Sequence, residues 1–194
     1  GDNGLTPAER SLLLAQLERI LGAEGLGKPL VRRAIREARG GAQEDVLYDI
    51  GRYAASHLMI DEVLLASHEL SGMVHGAGTA ARLRVDIARR DAARPHAERL
   101  LDGLDLEALG RPADLRLALC VRLLEGRDVE GLVPIVRQIT AGVGEMGPLP
   151  EERILAALLS HRLAQPAEMD AVDSASGLPW PFRDALELLT SRGN

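Results

Sequence analysis

Apolar residues recur at helical spacing along most of the chain. The first segment opens with the helix-capping sequence Thr6–Glu9, in which proline occupies the first helical position and glutamate completes a capping box. Its apolar stripe consists of Leu12, Leu13, Leu17, Ile20 and Leu21, and we expect such stripes to form the helix–helix contacts. No segment shows the two-residue alternation typical of a β-strand. The pattern therefore predicts an all-α fold.

Signals for helix starts recur at nearly constant intervals. The first helical residues predicted from them are 7, 43, 79, 113 and 150, so the successive steps are 36, 36, 34 and 37 residues. Each step is the length of a helical hairpin with its turns. The spacing predicts a solenoid of about five helical hairpins, followed by a C-terminal capping helix. We expect one continuous domain, with the repeat stack over residues 1–172 and the linker and capping helix over residues 173–194.

Local turn chemistry predicts several boundaries. Asp61 is expected to cap the second helix of the second pair, and Thr79 is expected to cap the next helix after a loop at Gly76–Gly78. The segment Gly142–Gly147 matches the dinucleotide-binding pattern G-x-G-x-x-G. Because a helix rather than a strand precedes it, we interpret it as an interhelical loop.

The second helix of the fifth pair is predicted from Pro166 to about Ala171. Near the C-terminus, Trp180 and Phe182 either close the exposed end of the core or dock on a second copy of the chain.

One hairpin turn resembles that of the tetratricopeptide-like helical repeats. The segment is Leu124–Leu132, which has a small residue between the two helices and another one turn into the second. Asp91–Ala93, before the apolar residues Ala97, Leu100 and Leu101, is similar. By period the resemblance covers residues 6–172, and HEAT-like solenoids have a similar period. The resemblance implies a right-handed α-solenoid whose first helices line a groove for a protein segment.

Composition and charge narrow the function classes. Of the 194 residues, 46% are hydrophobic and 2% aromatic, so the core must consist of Leu, Ala, Val and Ile. The net charge of −6 opposes binding to nucleic acid or to an anionic membrane. Cys120 lies in an apolar helical run and is expected to be an inert core thiol. No run reaches the ~18 apolar residues of a membrane span.

The start of the chain bears on the expected compartment. The start of the chain lacks the pattern of a signal peptide, which favours a cytoplasmic location. Because the chain begins at Gly1 rather than Met, we expect an excised domain or a processed form.

Three histidines and one aspartate in the second pair are candidate metal ligands. They are His57, Asp61, His68 and His75. The second histidine of an H-E-x-x-H zinc motif is missing after His68, and His68 and His75 would lie roughly 10.5 Å apart along a helix. The sequence therefore predicts no metal and no cofactor. An all-α enzyme or metal-binding protein that uses the His57–His75 hairpin is the alternative.

Polar residues on the first helix of each pair, away from the apolar stripe, predict a partner-binding groove. If their side chains converge, this acidic chain would present a basic groove suited to an acidic peptide or a C-terminal carboxylate. The competing interpretation is a solvated face with weak ion pairs. The candidate groove residues are Tyr48, Arg52, Arg82, Asp86, Arg89, Arg116, Arg122, Arg153 and His161.

The sequence thus predicts a non-enzymatic protein-interaction module, such as an adaptor, a chaperone or a regulatory domain. Regular hairpin spacing without a catalytic constellation motivates this prediction. The expected partner is a protein or peptide, and the open ends of the stack allow self-association. A nucleic-acid-binding solenoid is a further alternative, against which the acidic charge and low aromatic content count.

Overall fold

The computed structural model describes residues 4–22, 27–141, 148–165 and 177–191. All regular structure in these residues is helical, which confirms the predicted fold class. The helices are α1 (Pro7–Ile20), α2 (Gly27–Gly40), α3 (Glu44–Ser56), α4 (Ile60–Ser71), α5 (Gly76–Ala88), α6 (Ala97–Leu101), α7 (Pro112–Glu125), α8 (Val129–Ala141), α9 (Pro150–Arg162) and α10 (Trp180–Ser191). A 3₁₀ helix at Asp91–His96 precedes α6.

The chain forms two compact units, Gly1–Ile87 and Ala88–Asn194. The predicted division at residues 172 and 173 stays a prediction, as does the solenoid arrangement of the whole chain. The G-x-G-x-x-G segment, the helix predicted after Pro166 and most of the linker predicted after residue 172 lie outside the described residues.

In the first unit, α1 and α2 form an antiparallel hairpin. The hydroxyl of Ser11, near the start of α1, donates a hydrogen bond of 2.7 Å to the carboxylate of Glu37, near the end of α2. The predicted capping box is present at the start of α1. The Glu9 amide donates to the Thr6 hydroxyl at 3.3 Å, and the Thr6 amide donates to the Glu9 carboxylate at 2.7 Å.

The second helices of the first two pairs, α2 and α4, lie side by side and parallel. Arg32 contacts Glu62 at 2.8 Å, and Arg39 contacts Glu69 at 3.1 Å. Both ion pairs join residues 30 positions apart. Because the two pairs are seven residues apart on each helix, they fix one parallel register.

Two predicted helix starts in this unit are wrong. Helix α4 begins at Ile60 with Met59 as its N-cap, so Asp61 lies in the first turn, where its charge still opposes the positive end of the helix. Helix α5 begins at Gly76 rather than after Thr79. A Cβ atom at Gly76 would lie 1.8 Å from the carbonyl oxygen of Leu70. Glycine therefore lets the chain turn tightly enough to start the helix early.

The second unit departs from the predicted third pair. The second helix of that pair is replaced by the 3₁₀ helix and the five-residue α6. Helix α7 forms the centre of this unit, with Leu117–Val121 and Leu123 buried. Helix α10 packs against α7 and α9.

Trp180 and Phe182 are 5% and 2% exposed. Both rings therefore belong to the core of the second unit and are not available to dock on a second copy.

Candidate functional site

The predicted groove residues of the first unit form two local pairs. On α3, the guanidinium carbon of Arg52 lies 5.9 Å from the centre of the Tyr48 ring, within the range of a cation–π contact. On α5, Arg82 and Asp86 form an ion pair of 3.7 Å one helical turn apart. Each of these four side chains thus has a partner on its own helix.

Three predicted groove arginines of the second unit hold its helices together. Arg89 contacts the buried carboxylate of Asp114 at 2.5 Å, and Asp114 is 2% exposed. Arg116 contacts Glu152 at 3.2 Å, and both side chains are mostly buried. Arg122 donates hydrogen bonds to the carbonyl oxygens of the α6 region. These acceptors are Leu101 at 3.4 Å and Leu104 at 2.6 Å.

Two further candidates lie on α9, where Arg153 is exposed and His161 is partly buried. The nine candidates are therefore divided between the two units, and a groove that they share stays a prediction. Arg89, Arg116 and Arg122 have the closest contacts, and removing one of them would leave its polar partner in the second unit unpaired.

The histidine candidates are spread over several elements of the first unit. His57 follows the end of α3, and its ring meets the ring of Tyr53 edge to face, with the centres 4.5 Å apart. His68 lies in the last turn of α4, and His75 precedes α5. Within the described ranges, no three His, Cys, Asp or Glu side chains are grouped so that they could hold a metal ion.

Cys120 is completely buried in α7, as the sequence predicts. Its Sγ atom donates a hydrogen bond of 3.3 Å to the carbonyl oxygen of Pro181. Burial raises the pKa of this thiol far above its ordinary value, and the nearby Asp184 adds to the effect. Because the thiolate is the reactive form, Cys120 is not a nucleophile in the folded chain.

A surface that the sequence did not predict lies on α1. The buried residues of this helix are the small ones, Ala8, Ser11 and Ala15. Five large apolar residues, four in α1 and the C-cap residue Leu21, lie on the opposite side and are exposed by 43–81%. We call these residues the α1 stripe; they are Leu13, Leu14, Leu17, Ile20 and Leu21. The expectation that Leu13, Leu17, Ile20 and Leu21 contact the core is therefore wrong.

Specific contacts explain why the small face of α1 is the buried one. Ser11 donates to Glu37, and the Tyr53 hydroxyl donates a hydrogen bond of 3.1 Å to the carbonyl oxygen of Ala15. Small side chains let the backbone of α1 come this close to its neighbours, which leucines on the same face would prevent. The sequence signal for this face is the spacing of Ala8, Ser11 and Ala15 at three and four residues.

No protein-family model, curated protein or solved structure matches the chain. Across the part of the chain that the structure describes, no helix combines the length and apolar character needed to cross a membrane.

A cavity of about 510 Å³ adds a second, more polar surface to the first unit. It lies where the ends of α2 and α4 approach the start of α3. The ion pair between Arg39 and Glu69 lies on one side of it, and Glu44 accepts a hydrogen bond of 3.4 Å from Thr79. Val74, which is 92% exposed, forms part of its rim. Its charged groups are already paired with each other or with neighbouring side chains.

Proposed function

We propose that this chain is a non-enzymatic protein-interaction module, built from tetratricopeptide-like helical hairpins, that binds a protein segment along the α1 stripe. The observation that carries the proposal is the row of large apolar side chains on the outer face of α1. The largest contiguous apolar patch on a protein surface is often an interaction site.

The free energy gained by burying the α1 stripe is of the size that a specific interaction requires. Together its five side chains expose the equivalent of about three whole leucine side chains. Burying one such side chain contributes roughly 1.5–3 kcal/mol, so a partner that covers the stripe gains roughly 5–9 kcal/mol before the cost of association. Micromolar affinity corresponds to about 8 kcal/mol. Contacts beside the stripe would therefore be needed for tight binding.

Helix α1 is also held firmly enough to serve as a binding platform. The capping box fixes its first turn, and the contacts of Ser11 and Ala15 attach it to α2 and α3. A helix that is already ordered loses little conformational entropy when a partner covers it. The occupant with matching chemistry is an amphipathic helix that presents its own apolar side chains.

The parallel packing of α2 and α4 supports the tetratricopeptide-like part of the proposal. Two ion pairs with the same separation of 30 residues hold α2 and α4 side by side and parallel, a packing that is compatible with stacked hairpins. The structural roles of Arg89, Arg116 and Arg122 support a scaffold rather than a catalytic use of these charged groups.

Affinity capture with a matched pair of variants tests the proposal. Leu17→Glu places a charge at the centre of the stripe, whereas Leu149→Glu alters a leucine of equal exposure, 45%, in the second unit. We expect Leu17→Glu to lose the proteins that the wild type captures from its native host, and Leu149→Glu to retain them. Circular dichroism checks that both variants remain helical. Equal capture by all three proteins would refute the proposed role of the stripe.

A further inference from the structure

The α1 stripe is symmetric about its central residue. Leu13 and Leu21 lie four residues on either side of Leu17, and Leu14 and Ile20 lie three residues on either side. All five positions face the same side of α1, since residues three, four, seven and eight apart lie close together around a helix. The stripe therefore has the same pattern when it is followed in either direction along the helix.

This symmetry matters for helix pairing. If two copies of α1 pack antiparallel around a two-fold axis at Leu17, residue 17 meets its own copy. Leu13 then lies opposite Leu21 of the second copy, and Leu14 lies opposite Ile20 of the second copy. Every large apolar residue of the stripe is matched with another. A two-fold interface requires this self-complementarity, because the same patch is used by both copies.

We infer that the α1 stripe is the interface of a homodimer, in which it is covered by the antiparallel α1 of a second copy of this chain. The inference rests on the proposed function in that both assign the stripe to protein binding. It goes further by naming the occupant. A foreign helix would need complementary shape but would not require the stripe to be symmetric.

The area of the α1 stripe is consistent with a homodimer interface. Covering the stripe on both copies removes on the order of 1,000 Å² from water, the area at which specific interfaces begin. The charged residues within this segment, Glu18 and Arg19, lie off the stripe by their positions around the helix. No charge is therefore placed between the facing apolar side chains from residue 13 to residue 21. Two-fold dimers are also the commonest assemblies of soluble chains.

Light scattering coupled to size-exclusion chromatography tests the oligomeric state of the full chain over a range of concentrations. We expect a dimer for the wild type and for Leu149→Glu. We expect a monomer for Leu17→Glu, because the two introduced carboxylates would face each other on the axis. A monomeric wild type, or a dimer unaffected by Leu17→Glu, would overturn the inference.

Two double variants test the antiparallel register. In Leu13→Glu/Leu21→Lys, each introduced glutamate faces the introduced lysine of the other copy. In Leu13→Glu/Leu21→Glu, like charges face each other, although the same two leucines are lost. We expect the first variant to dimerise roughly tenfold more tightly than the second, since close charge pairs at interfaces couple measurably. Equal dimerisation would exclude the antiparallel register.

A cross-linking experiment tests the position of the axis. Helices packed about 8–10 Å apart, with Cα atoms about 2.3 Å from each axis, bring facing Cα atoms to roughly 5 Å, within disulfide range. Leu17→Cys should therefore form a disulfide-linked dimer under mild oxidation, whereas Leu149→Cys should not. The native Cys120 is buried and contributes no background. Failure of Leu17→Cys to cross-link would contradict an axis at this residue.

The outcomes also separate the inference from the proposed function. A monomeric wild type whose capture of another protein is lost in Leu17→Glu would overturn the homodimer and support the interaction module. A monomer whose capture is unchanged by Leu17→Glu would overturn both.

Discussion

The indole nitrogen of Trp180 donates a hydrogen bond of 2.7 Å to the carbonyl oxygen of Ala88, the last residue of α5. The two residues are 92 positions apart in sequence and both belong to the second unit. Trp180 is buried, and the Arg94 guanidinium lies 5.8 Å from its ring centre. The last carbonyl oxygens of a helix have no hydrogen-bond donor within that helix. The Trp180 side chain supplies the donor for the carbonyl oxygen of Ala88.

We expect Trp180→Phe to destabilise the second unit. The substitution leaves the Ala88 carbonyl without its donor, and a buried unsatisfied acceptor costs about 1–3 kcal/mol. Urea unfolding followed by circular dichroism measures the loss, since the variant lacks the only tryptophan. Phe182→Leu is the control for lost volume without a lost hydrogen bond. Equal stability of Trp180→Phe and the wild type would show that the hydrogen bond contributes nothing.

Gly76→Ala should be strongly destabilising, whereas Gly40→Ala should not. At Gly76 an added Cβ atom would lie 1.8 Å from the Leu70 carbonyl oxygen, so the backbone itself must move. At Gly40 nothing lies within 4 Å of an added Cβ atom. Alanine also has the higher helix propensity, so Gly40→Ala should be neutral or slightly stabilising. Thermal unfolding of the two variants checks the prediction, and similar melting temperatures would contradict it.

Removing Arg32 should cost more than removing its neighbour Arg33. Arg32 is the partner of Glu62, whose side chain is 1% exposed and whose second carboxylate oxygen has no hydrogen-bond donor among the described residues. Arg32→Ala leaves a buried carboxylate without its cation, at a cost of about 1–3 kcal/mol.

Arg33 pairs with Glu37 on an exposed face of the same helix, where such pairs contribute ~0–1 kcal/mol. Arg33→Ala is therefore the matched control. Urea titrations give the free energies of unfolding of the two variants, and the loss for Arg32→Ala is compared with the loss for Arg33→Ala. A loss for Arg33→Ala as large as that for Arg32→Ala would contradict this account of Glu62.

The contact between Ser11 and Glu37 should make the attachment of α1 sensitive to acid. The hydrogen bond from Ser11 lowers the pKa of Glu37 below its ordinary value, with a smaller contribution from Arg33. A carboxylate whose pKa is lowered in the folded state stabilises the fold above its unfolded pKa. That stability is lost as the pH falls through the lower, folded pKa.

Ser11→Ala tests this linkage. We expect the pKa of Glu37, followed by NMR titration, to rise towards its ordinary value in the variant. The difference in stability between wild type and Ser11→Ala should be larger at neutral pH than in acid. Ser56→Ala is the control, because Ser56 donates to a backbone carbonyl rather than to a carboxylate. An unchanged Glu37 pKa in Ser11→Ala would rule out the hydrogen bond as the cause.

Features that depend on neighbouring residues in sequence were predictable. The capping box at Thr6 and Glu9 was found correctly because both partners lie within one turn of helix. The burial of Cys120 was likewise indicated by a local apolar run.

Features that depend on distant residues were not predictable. Arg116 was expected to line a groove, but its partner Glu152 lies 36 residues away and buries it. The start of α5 is a separate case, because Gly76 and Leu70 are only six residues apart and their close approach leaves no capping signal in the sequence. Helix α1 has a small buried face and a large exposed one. An apolar pattern alone does not say which face has a neighbour in the fold.

The hydrogen bond between Trp180 and Ala88 affects the order in which the two units fold during synthesis. The hydrogen bonds of the first unit described above span at most 38 residues, so each of its helices meets its neighbours soon after both are made. The second unit needs a side chain of its last described helix to satisfy the carbonyl oxygen of its first residue, Ala88. Because distant contacts form late, the first unit can fold while the ribosome is still extending the chain. The second unit cannot complete its packing until α10 has emerged.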